Sequence, residues 1–545
     1  MKLSTGIYFA LLLAAFFSGS LYYIGTTELA GDGESYLTLA THIKSGEGSV
    51  LYQINNYYPE KGFMFPDCFW FSAYNFILAP FASNTPDFFI ASKIITMIIA
   101  LAALLSFYYI TDKLFGRKTA LLSSAIMAVN CSFLFFSAIP RVEALFIIFV
   151  MFSAMFAIKG FENNKLWIWA GAFGGLAYLT KGTGLLYLGI FFISAFIVNK
   201  FKILKNKYFY FYILAFFIII SPMMARNAAD YGNPLFHCAS SHILWEESIE
   251  ESKTAYFDNK PTMQTYLKTH SAGDIAGRIL RGAFVTTPFK LMKLFELDIF
   301  SNILTIKFVS EKLSIITALI STAIMLGALL GFVKSRNKGA KAYIGSLIFV
   351  TLGFYIWLAP ITSSKKHIFT ILPFTAMFFS WTLTAKLKLN EKQIITISGI
   401  MLLLSAGFYL SQGIPNPLES YNISPEGYEI IKWMADNTDF SKDVILECNR
   451  NYHYNWIYQR KMLFIPVAGN FSELEDHMKT FNVTYAMICS DYQDMKVNKK
   501  AFDEKFFYQE PKGLQAKGSI PGWTLVKSDD ALPVDYLIYK VNYTG

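Results

Sequence analysis

The chain has 545 residues, of which 54% are hydrophobic and only 16% are charged, and its formal net charge is +9. Soluble domains carry about 25% charged residues, so this composition excludes a soluble globular protein and indicates an integral membrane protein with many spans. The basic residues lie in short clusters between apolar segments rather than in one stripe. That arrangement indicates membrane topology and no nucleic-acid partner.

Eleven hydrophobic segments predict membrane-spanning helices. The first follows Lys2 and lacks a small-x-small cleavage site, which favours an uncleaved signal anchor over a removed leader. The segments lie near residues 6–24, 88–110, 119–137, 143–158, 167–180, 184–198, 208–225, 312–333, 342–360, 368–385 and 393–412.

The lysines and arginines of the short loops predict the orientation. The loops after the second, fourth, sixth, eighth and tenth segments are basic, and they fall on the same side as Lys2. The positive-inside rule therefore predicts a cytoplasmic N-terminus, and an odd number of spans predicts an extracytoplasmic C-terminus. Residues 1–412 would form the membrane domain, with outer loops at 25–87 and 226–310, and residues 413–545 would form an outer domain.

Both outer loops contain amphipathic stretches. Apolar side chains at i, i+3, i+4 and i+7 over residues 36–43 predict a helix in the membrane interface. Residues 69–81 are apolar but short, which favours an interfacial or re-entrant helix over a span. Residues 275–295 carry basic side chains among apolar ones, which predicts a membrane-surface helix.

The tail that follows Pro415 and Pro417 alternates helix and strand patterns and predicts a small extracytoplasmic α/β domain. The five cysteines of the chain include no CxxC pair. Cys448 and Cys489 can meet in the tail, but unpaired buried thiols are favoured. The predicted tail elements are helices at 425–437 and 472–480 and strands at 443–448, 462–465, 484–489, 523–526 and 536–541.

An acidic cluster follows the first span. Asp32 and Glu34 lie where the span ends, and an ionised side chain at a membrane boundary is costly unless water, a partner or a substrate meets it. Asp32 can be a helix N-cap, which is worth roughly 1 kcal/mol. It can also be a general base that takes a proton from an attacking hydroxyl.

Two tight outer turns carry further charges. Arg141 and Glu143 join the third and fourth spans, where Arg141 can contact lipid headgroups or grip a phosphate in bidentate fashion. Glu143 would then orient Arg141 or contact a sugar. Lys181 lies in a glycine-containing turn, where it can snorkel to the interface or bind an anion.

Lys365, Lys366 and His367 form a basic cluster before the tenth segment. The cluster contradicts the inside-positive trend, so a phosphate partner on the outer face is the favoured explanation. Arg226 and Asn233 lie where the chain leaves the seventh span, in a sequence of ordinary turn chemistry.

Two histidines and two glutamates follow that turn. Their spacing matches no strong metal-binding motif, so no metal site is predicted there. These residues are His237, His242, Glu246 and Glu247.

Taken in order, these motifs resemble those of the membrane glycosyltransferases of the GT-C fold, specifically the bacterial branch of the protein O-mannosyltransferase and aminoarabinose-transferase superfamily. The resemblance covers roughly residues 1–412 and adds a small outer α/β tail. Gly33 separates two acids that family members often have adjacent, and Glu143 stands where the turn usually has Asp. The matching residues are Asp32 with Tyr36, Arg141 with Glu143, Leu179 to Gly182, Arg226 to Pro234, and Lys365 to His367 followed by Leu372 to Phe374.

The resemblance implies a polytopic α-helical membrane protein of about 11 spans. It also implies an inverting enzyme that moves a single sugar from a polyprenyl-phosphate donor to an acceptor hydroxyl on the outer face of the cytoplasmic membrane. Asp32 and Glu34 would be catalytic. No cofactor is required, although a divalent ion near Asp32 or Glu34 is compatible with the family. The donor phosphate would be bound by Arg141, Lys181, Lys365, Lys366 and His367, and the substrates would be contacted by Tyr36, Glu143, Arg226 and Asn233.

Three alternatives remain open. One is a non-catalytic surface or sensor protein whose tail binds a ligand, which would leave the coincidence of Asp32, Arg141 and Lys181 unexplained. A transporter or flippase of lipid-linked sugars predicts charges in the middle of spans and inverted repeats, whereas the spans here are nearly free of charge apart from Lys93. An oligosaccharyltransferase-like enzyme would move a whole glycan instead of one sugar. The acceptor can be protein, lipid or polysaccharide, and membrane lipids surround the spans in every case.

Overall fold

The structure is a computed structural model. The described residues, to which every statement below on structure refers, are 3–27, 32–70, 73–248, 251, 258–296, 305–308, 311–362, 364–416, 433–439, 441–447, 461–464, 471–489, 507–510, 513–516, 522–528 and 536–543.

A bundle of apolar helices forms the first three quarters of the chain. Within the described ranges, eight helices are long and apolar enough to cross a membrane, or nine if the pair bent by 67° at Asn130 is one span. The helices are α1 (Leu3–Thr26), α2 (Asp32–Lys44), α3 (Ala73–Leu78), α4 (Pro86–Phe115), α5 (Arg117–Val129), α6 (Cys131–Ser137), α7 (Glu143–Gly160), α8 (Trp167–Thr180), α9 (Leu186–Asn199), α10 (Lys207–Tyr231), α11 (Cys238–Ser241), α12 (Met263–Thr269), α13 (Ala272–Arg281), α14 (Thr287–Leu294), α15 (Ile315–Lys334), α16 (Lys338–Leu358), α17 (Ile371–Lys386), α18 (Glu391–Gln412) and α19 (Phe471–Thr480).

Every one of the eleven predicted apolar segments coincides with helix. The predicted third segment is the bent pair α5 and α6, and the predicted eighth begins with a strand before α15. Helices α8 and α17 have only 14 and 16 residues and are not among the eight helices long enough to cross a membrane. The polytopic helical fold class is therefore confirmed, while the number of spans stays a prediction.

Close approaches between helices depend on small residues. A Cβ atom built on Gly171 of α8 would lie 2.2 Å from the carbonyl oxygen of Tyr212 in α10, so only glycine fits at this crossing. The charge inside a span also has a structural role. Lys93 of α4 is buried and donates hydrogen bonds to the carbonyl oxygens of Ile24 and Thr27, at 2.7 and 2.6 Å, where α1 ends. A cation at a helix C-terminus satisfies carbonyls that have no partner within the helix.

The first outer loop folds over one end of the bundle. Helix α2 begins at Asp32 and buries most of its residues, as the amphipathic pattern predicted. Within residues 69–81, α3 and a 3₁₀ turn at Ala79–Phe81 are far too short to span a bilayer. Between α2 and α3, the two-residue strands β1 (Val50–Leu51) and β2 (Phe65–Pro66) pair antiparallel with each other.

A disulfide joins the two outer loops. Cys68 and Cys238 are bonded over a sequence separation of 170 residues, and the backbone N–H of Cys238 also donates to the carbonyl of Cys68 at 3.1 Å. The sequence contained no signal for this pairing. Cys131 is buried, and its thiol donates a hydrogen bond to the carbonyl oxygen of Glu296 at 2.6 Å, whereas Cys448 lies outside the described residues.

The stretch predicted as a membrane-surface helix at 275–295 is helical as far as Leu294 and partly buried. It consists of α13, a π-helical turn at Gly282–Thr286 and α14. The guanidinium of Arg278 points inward and donates to the carbonyl oxygens of Leu244, Glu246 and Trp357. Arg278 thus joins this segment to the preceding loop and to Trp357, while the position of the segment on the membrane surface stays a prediction.

The tail contains a five-stranded mixed sheet. In spatial order its strands are β10 (Trp523–Ser528), β11 (Tyr536–Val541), β7 (Tyr485–Cys489), β5 (Val444–Glu447) and β6 (Lys461–Phe464). The pairs β5–β6 and β5–β7 are parallel, and β11 pairs antiparallel with β7 and with β10. The predicted strands and the predicted helix at 472–480 coincide with elements of this domain, and residues 433–437 are helical, whereas 425–432 lie outside the described residues. Two hairpins, β3–β4 and β8–β9, were not predicted. The first hairpin, β3 (Thr305–Phe308) with β4 (Glu311–Ser314), precedes α15, and the second, β8 (Phe507–Glu510) with β9 (Gly513–Ala516), lies in the tail.

Candidate functional site

A cavity of about 660 Å³ lies where the two outer loops meet the ends of the bundle helices. Its wall is mostly apolar, but the charged residues of four separate motifs reach it. Asp32 comes from the start of α2, Glu143 and Lys181 from the ends of α7 and α8, and Lys366 from the turn before α17. A concave apolar wall with a few convergent charges is typical of a ligand site.

Asp32 is bound by side chains from distant parts of the chain. Its Oδ1 accepts a hydrogen bond from the indole Nε1 of Trp70 at 3.1 Å, and its Oδ2 forms an ion pair with the ammonium of Lys366. Burial opposes ionisation of this carboxyl, but the charges of Lys366 and Arg141 outweigh it and hold the pKa of Asp32 below its usual range. The carboxylate therefore faces the site and is held there by tertiary partners.

The other two predicted residues of α2, Glu34 and Tyr36, differ in whether they reach the cavity. Tyr36 is one turn further along, lines the cavity and packs edge-on against Tyr74 with ring centroids 5.6 Å apart. Glu34 is 3% exposed and does not line the cavity. The structure thus brings Asp32 and Tyr36 to one surface and places Glu34 away from it.

The acidic and basic turns form a connected set. The Nζ of Lys181 lies 3.1 Å from Oε1 of Glu143 and 3.3 Å from the carbonyl oxygen of Lys366. Arg141 does not line the cavity, but its charge acts on Asp32 and on His367. Cations from three predicted motifs therefore surround the two carboxylates at one end of the cavity.

Several polar atoms in this wall are buried without a hydrogen-bond partner among the described residues. They are Oε2 of Glu143, the hydroxyl of Tyr178, and both ring nitrogens of His367. A buried polar atom left unpaired costs about 1–3 kcal/mol, so a substrate that bonds to these atoms recovers that cost.

The basic cluster before α17 divides between two places. Lys366 and His367 line the cavity, whereas Lys365 does not, and its ammonium lies 5.8 Å from the ring centroid of Phe135. Burial, with the neighbouring charges of Lys366 and Lys181, holds the pKa of His367 well below its ordinary value. This imidazole is therefore neutral at neutral pH.

Arg226 and Asn233 lie outside the cavity wall. Arg226 forms an ion pair with Asp230 at 3.3 Å and donates to the carbonyl of Ser49 at 3.3 Å. The amide oxygen of exposed Asn233 accepts from the N–H of Leu235 at 3.0 Å, as in an ordinary turn. These contacts hold the loop where it leaves α10, and their assignment as substrate contacts stays a prediction.

The histidines and glutamates of the second outer loop have separate partners. The ring of His242 stacks on Tyr57, whose hydroxyl donates to Glu246 at 2.7 Å. Glu247 accepts from Arg278 at 3.2 Å and from the hydroxyl of Tyr266 at 2.6 Å. The ranges that the structure describes contain no group of three or more His, Cys, Asp or Glu side chains that could hold a metal ion.

Two site residues had no signal in the sequence. Trp70 lies in a loop whose apolar residues were read only as part of a helix, and its contact with Asp32 joins positions 38 residues apart. His237 was considered only as a metal ligand, yet it lines the cavity beside Gly182.

Comparison with known proteins now bears on this geometry. Residues 74–225 match the family described as dolichyl-phosphate-mannose-protein mannosyltransferase. The structure of ArnT from Cupriavidus metallidurans bound to undecaprenyl phosphate superimposes with a TM-score of 0.57 at 9% identity, over 98% of this chain and 97% of that chain. The chain therefore has the GT-C fold of these membrane glycosyltransferases, and its sequence matches the mannosyltransferase family over residues 74–225.

A second solved structure has the same fold. The archaeal oligosaccharyltransferase AglB from Archaeoglobus fulgidus, in complex with an inhibitory peptide and a dolichol-phosphate, gives a TM-score of 0.57 at 14% identity, over 95% of this chain and 75% of that chain. No curated protein sequence matches the chain. At these identities the two structures establish the GT-C fold, and the donor, sugar and acceptor of this glycosyltransferase are matters of proposal.

Proposed function

We propose that this glycosyltransferase moves a single sugar from a polyprenyl-phosphate donor to an acceptor hydroxyl on the outer face of the cytoplasmic membrane. The observation that carries the proposal is the convergence of Lys366, Lys181 and Asp32 at one end of an apolar cavity. A lipid phosphate needs cations beside an apolar surface, and an attacking hydroxyl needs a carboxylate. The two solved structures support the proposal, since AglB was solved with a dolichol-phosphate and ArnT with undecaprenyl phosphate.

The proposed step transfers the sugar from the lipid phosphate to the acceptor oxygen. The acceptor oxygen forms a bond to the anomeric carbon, and the bond from that carbon to the phosphate oxygen breaks. The hydroxyl proton passes to Asp32, and the bonding electron pair leaves with the lipid phosphate, which becomes a dianion. Attack opposite the leaving group inverts the anomeric centre. Fixed cations at the developing dianion supply the electrostatic stabilisation on which such a step depends.

Lys366 connects the two halves of this chemistry. In the structure its ammonium neutralises Asp32, and a carboxylate held below its usual pKa is a weak base. A donor phosphate competes for the same ammonium. As Lys366 moves toward the phosphate, Asp32 loses its largest favourable charge contact and its pKa rises, so donor binding itself prepares the base.

The disulfide supports the placement of the site on the outer face. Cys68 and Cys238 belong to the two loops that enclose the cavity, and disulfides persist mainly in oxidising compartments. Together with the basic loops on the opposite side of the spans, this bond favours an extracytoplasmic cavity and tail.

The test uses purified protein in nanodiscs and synthetic undecaprenyl-phosphate hexoses with a radiolabelled sugar. Loss of label from the lipid is followed for the wild type and for Asp32→Asn, and the variant should be slower by roughly 10²–10⁴-fold, as expected for removal of a general base. Asp87→Asn, at the exposed start of α4 and outside the cavity wall, is the matched control. Equal rates for wild type and Asp32→Asn would refute the assigned role of Asp32. No turnover across a panel of hexoses and pentoses would refute the function.

A further inference from the structure

His237 forms part of the cavity wall, and the transfer step described above leaves it unused. It precedes α11, and its Nδ1 accepts a hydrogen bond from the backbone N–H of Ala239 at 3.2 Å. A ring nitrogen that accepts a hydrogen bond carries no proton, so the proton of the neutral ring must be on Nε2. The local backbone therefore selects the tautomer that presents Nε2–H.

The position of the ring is set from two directions. Its neighbour Cys238 is fixed to the first outer loop through the disulfide and through the N–H bond to the Cys68 carbonyl. On the other side, a Cβ atom built on Gly182 would lie only 2.6 Å from Nε2 of His237. Because residue 182 is a glycine, space remains for Nε2–H of His237 beside Lys181 at the cavity surface.

The ring is a donor without charge. Burial lowers the pKa of His237 to about 4, so the imidazole is neutral at neutral pH. Lys181, the residue before Gly182, and Lys366 already provide cations for a phosphate. A neutral donor next to them suits an uncharged oxygen such as a sugar hydroxyl, which a further cation would not favour.

The rest of the lining has the same character. Of the described residues that line the cavity, the acidic ones are Asp32 and Glu143, and each already has a lysine partner. The first outer loop adds uncharged polar groups from Gln53 and Asn56. A sugar with a cationic amino group would therefore meet carboxylates whose charge is already balanced by lysines, at a cost in desolvation.

We propose that Nε2–H of His237 donates a hydrogen bond to a hydroxyl of the donor sugar, and that this sugar is uncharged. The inference rests on the proposed function, since it names a contact within the same cavity. Gly182 is the positioning residue, because it keeps open the space that the imidazole occupies.

The experiment compares three variants of the full-length protein in nanodiscs. His237→Phe keeps a planar ring and removes the donor, His237→Gln offers an amide N–H, and Gly182→Ala crowds the unaltered imidazole. His270→Phe, the same substitution in the second outer loop but outside the cavity, is the control. Each protein is assayed for binding of undecaprenyl phosphate without sugar, for binding of undecaprenyl-phosphate hexose, and for transfer from that hexose and its monodeoxy analogues.

The expected result is selective for the sugar. His237→Phe and Gly182→Ala should weaken binding of the sugar-bearing lipid and lower kcat/KM by roughly 10-fold, with His237→Gln between them and wild type. Binding of the sugar-free lipid should not change. With one monodeoxy analogue, wild type and His237→Phe should become equal, because the hydroxyl that receives the hydrogen bond is gone. A 4-amino sugar should be a poorer donor than the neutral hexose.

Opposite outcomes would overturn the inference. Equal loss of binding for the sugar-free and sugar-bearing lipids would make His237 a phosphate or structural residue. An equal penalty for His237→Phe with every deoxy analogue would exclude a contact with a sugar hydroxyl, and preference for the amino sugar would exclude an uncharged donor. If the wild type bound both lipids without any transfer, the proposed function would fail while the binding comparison still tested His237. If it bound neither lipid, both would fail.

Discussion

Replacement of Lys366 by Met is the sharpest test of how the site binds phosphate. The ammonium contacts Asp32 and lies at the cavity surface with 20% of its side chain exposed, so it is partly screened by solvent. Two unit charges about 4 Å apart interact by ~4 kcal/mol at an effective dielectric constant of 20. After desolvation, a hydrogen bond to a charged group retains about 1.5–3 kcal/mol. Lys366→Met should therefore raise the Kd for undecaprenyl phosphate by roughly 10- to 150-fold.

The chain offers a matched control in the preceding residue. Lys365 has the same charge, but its ammonium lies over Phe135 and the residue does not line the cavity, so Lys365→Met should change the Kd by less than about 3-fold. Binding is measured in nanodiscs with radiolabelled undecaprenyl phosphate and no sugar, at fixed ionic strength. Equal effects of the two substitutions would refute the reasoning, because a general loss of positive charge would then explain both.

Two further predictions concern stability. Burial raises the pKa of Glu246 to about 7, so its folded state binds more protons than the unfolded chain between about pH 4.5 and 7, and stability falls as pH rises through that window. Glu246→Gln removes this dependence, so the stability of the variant relative to wild type should rise by up to about 2 kcal/mol between about pH 5.5 and 8. Thermal midpoints measured by intrinsic fluorescence across this range test the prediction. Parallel pH profiles of the two proteins would contradict it. Cys68→Ser with Cys238→Ser opens a loop of 170 residues and should cost about 2–5 kcal/mol. Thiol labelling of unreduced, denatured wild type tests the bond directly, since labelled Cys68 and Cys238 would show that it is absent.

Much of the membrane domain could be predicted from the sequence because its signals are local. An apolar run long enough to cross a bilayer forms a helix whatever its neighbours are, and each of the eleven predicted segments coincides with helix. The five strands of the tail sheet were also predictable from alternation and turn residues, whereas the β8–β9 hairpin was not. The residue types needed for the proposed chemistry, such as Asp32 and Lys366, also stood out, because charges at span ends are costly without a partner.

Which of those charges meet was decided by the tertiary structure. Asp32 and Lys366 are 334 positions apart, and no periodicity links them; the same packing placed Lys365 against Phe135 instead. Arg278 shows the limit of pattern reading, since its guanidinium is buried and joins α13 to the preceding loop and to Trp357, contacts that the amphipathic pattern of its segment does not indicate. The disulfide and the position of the His237 ring beside Gly182 likewise depend on contacts between separate loops. Local sequence determined the helices and the supply of charged groups, whereas long-range packing selected their partners, because contact depends on how the helices and loops meet in space.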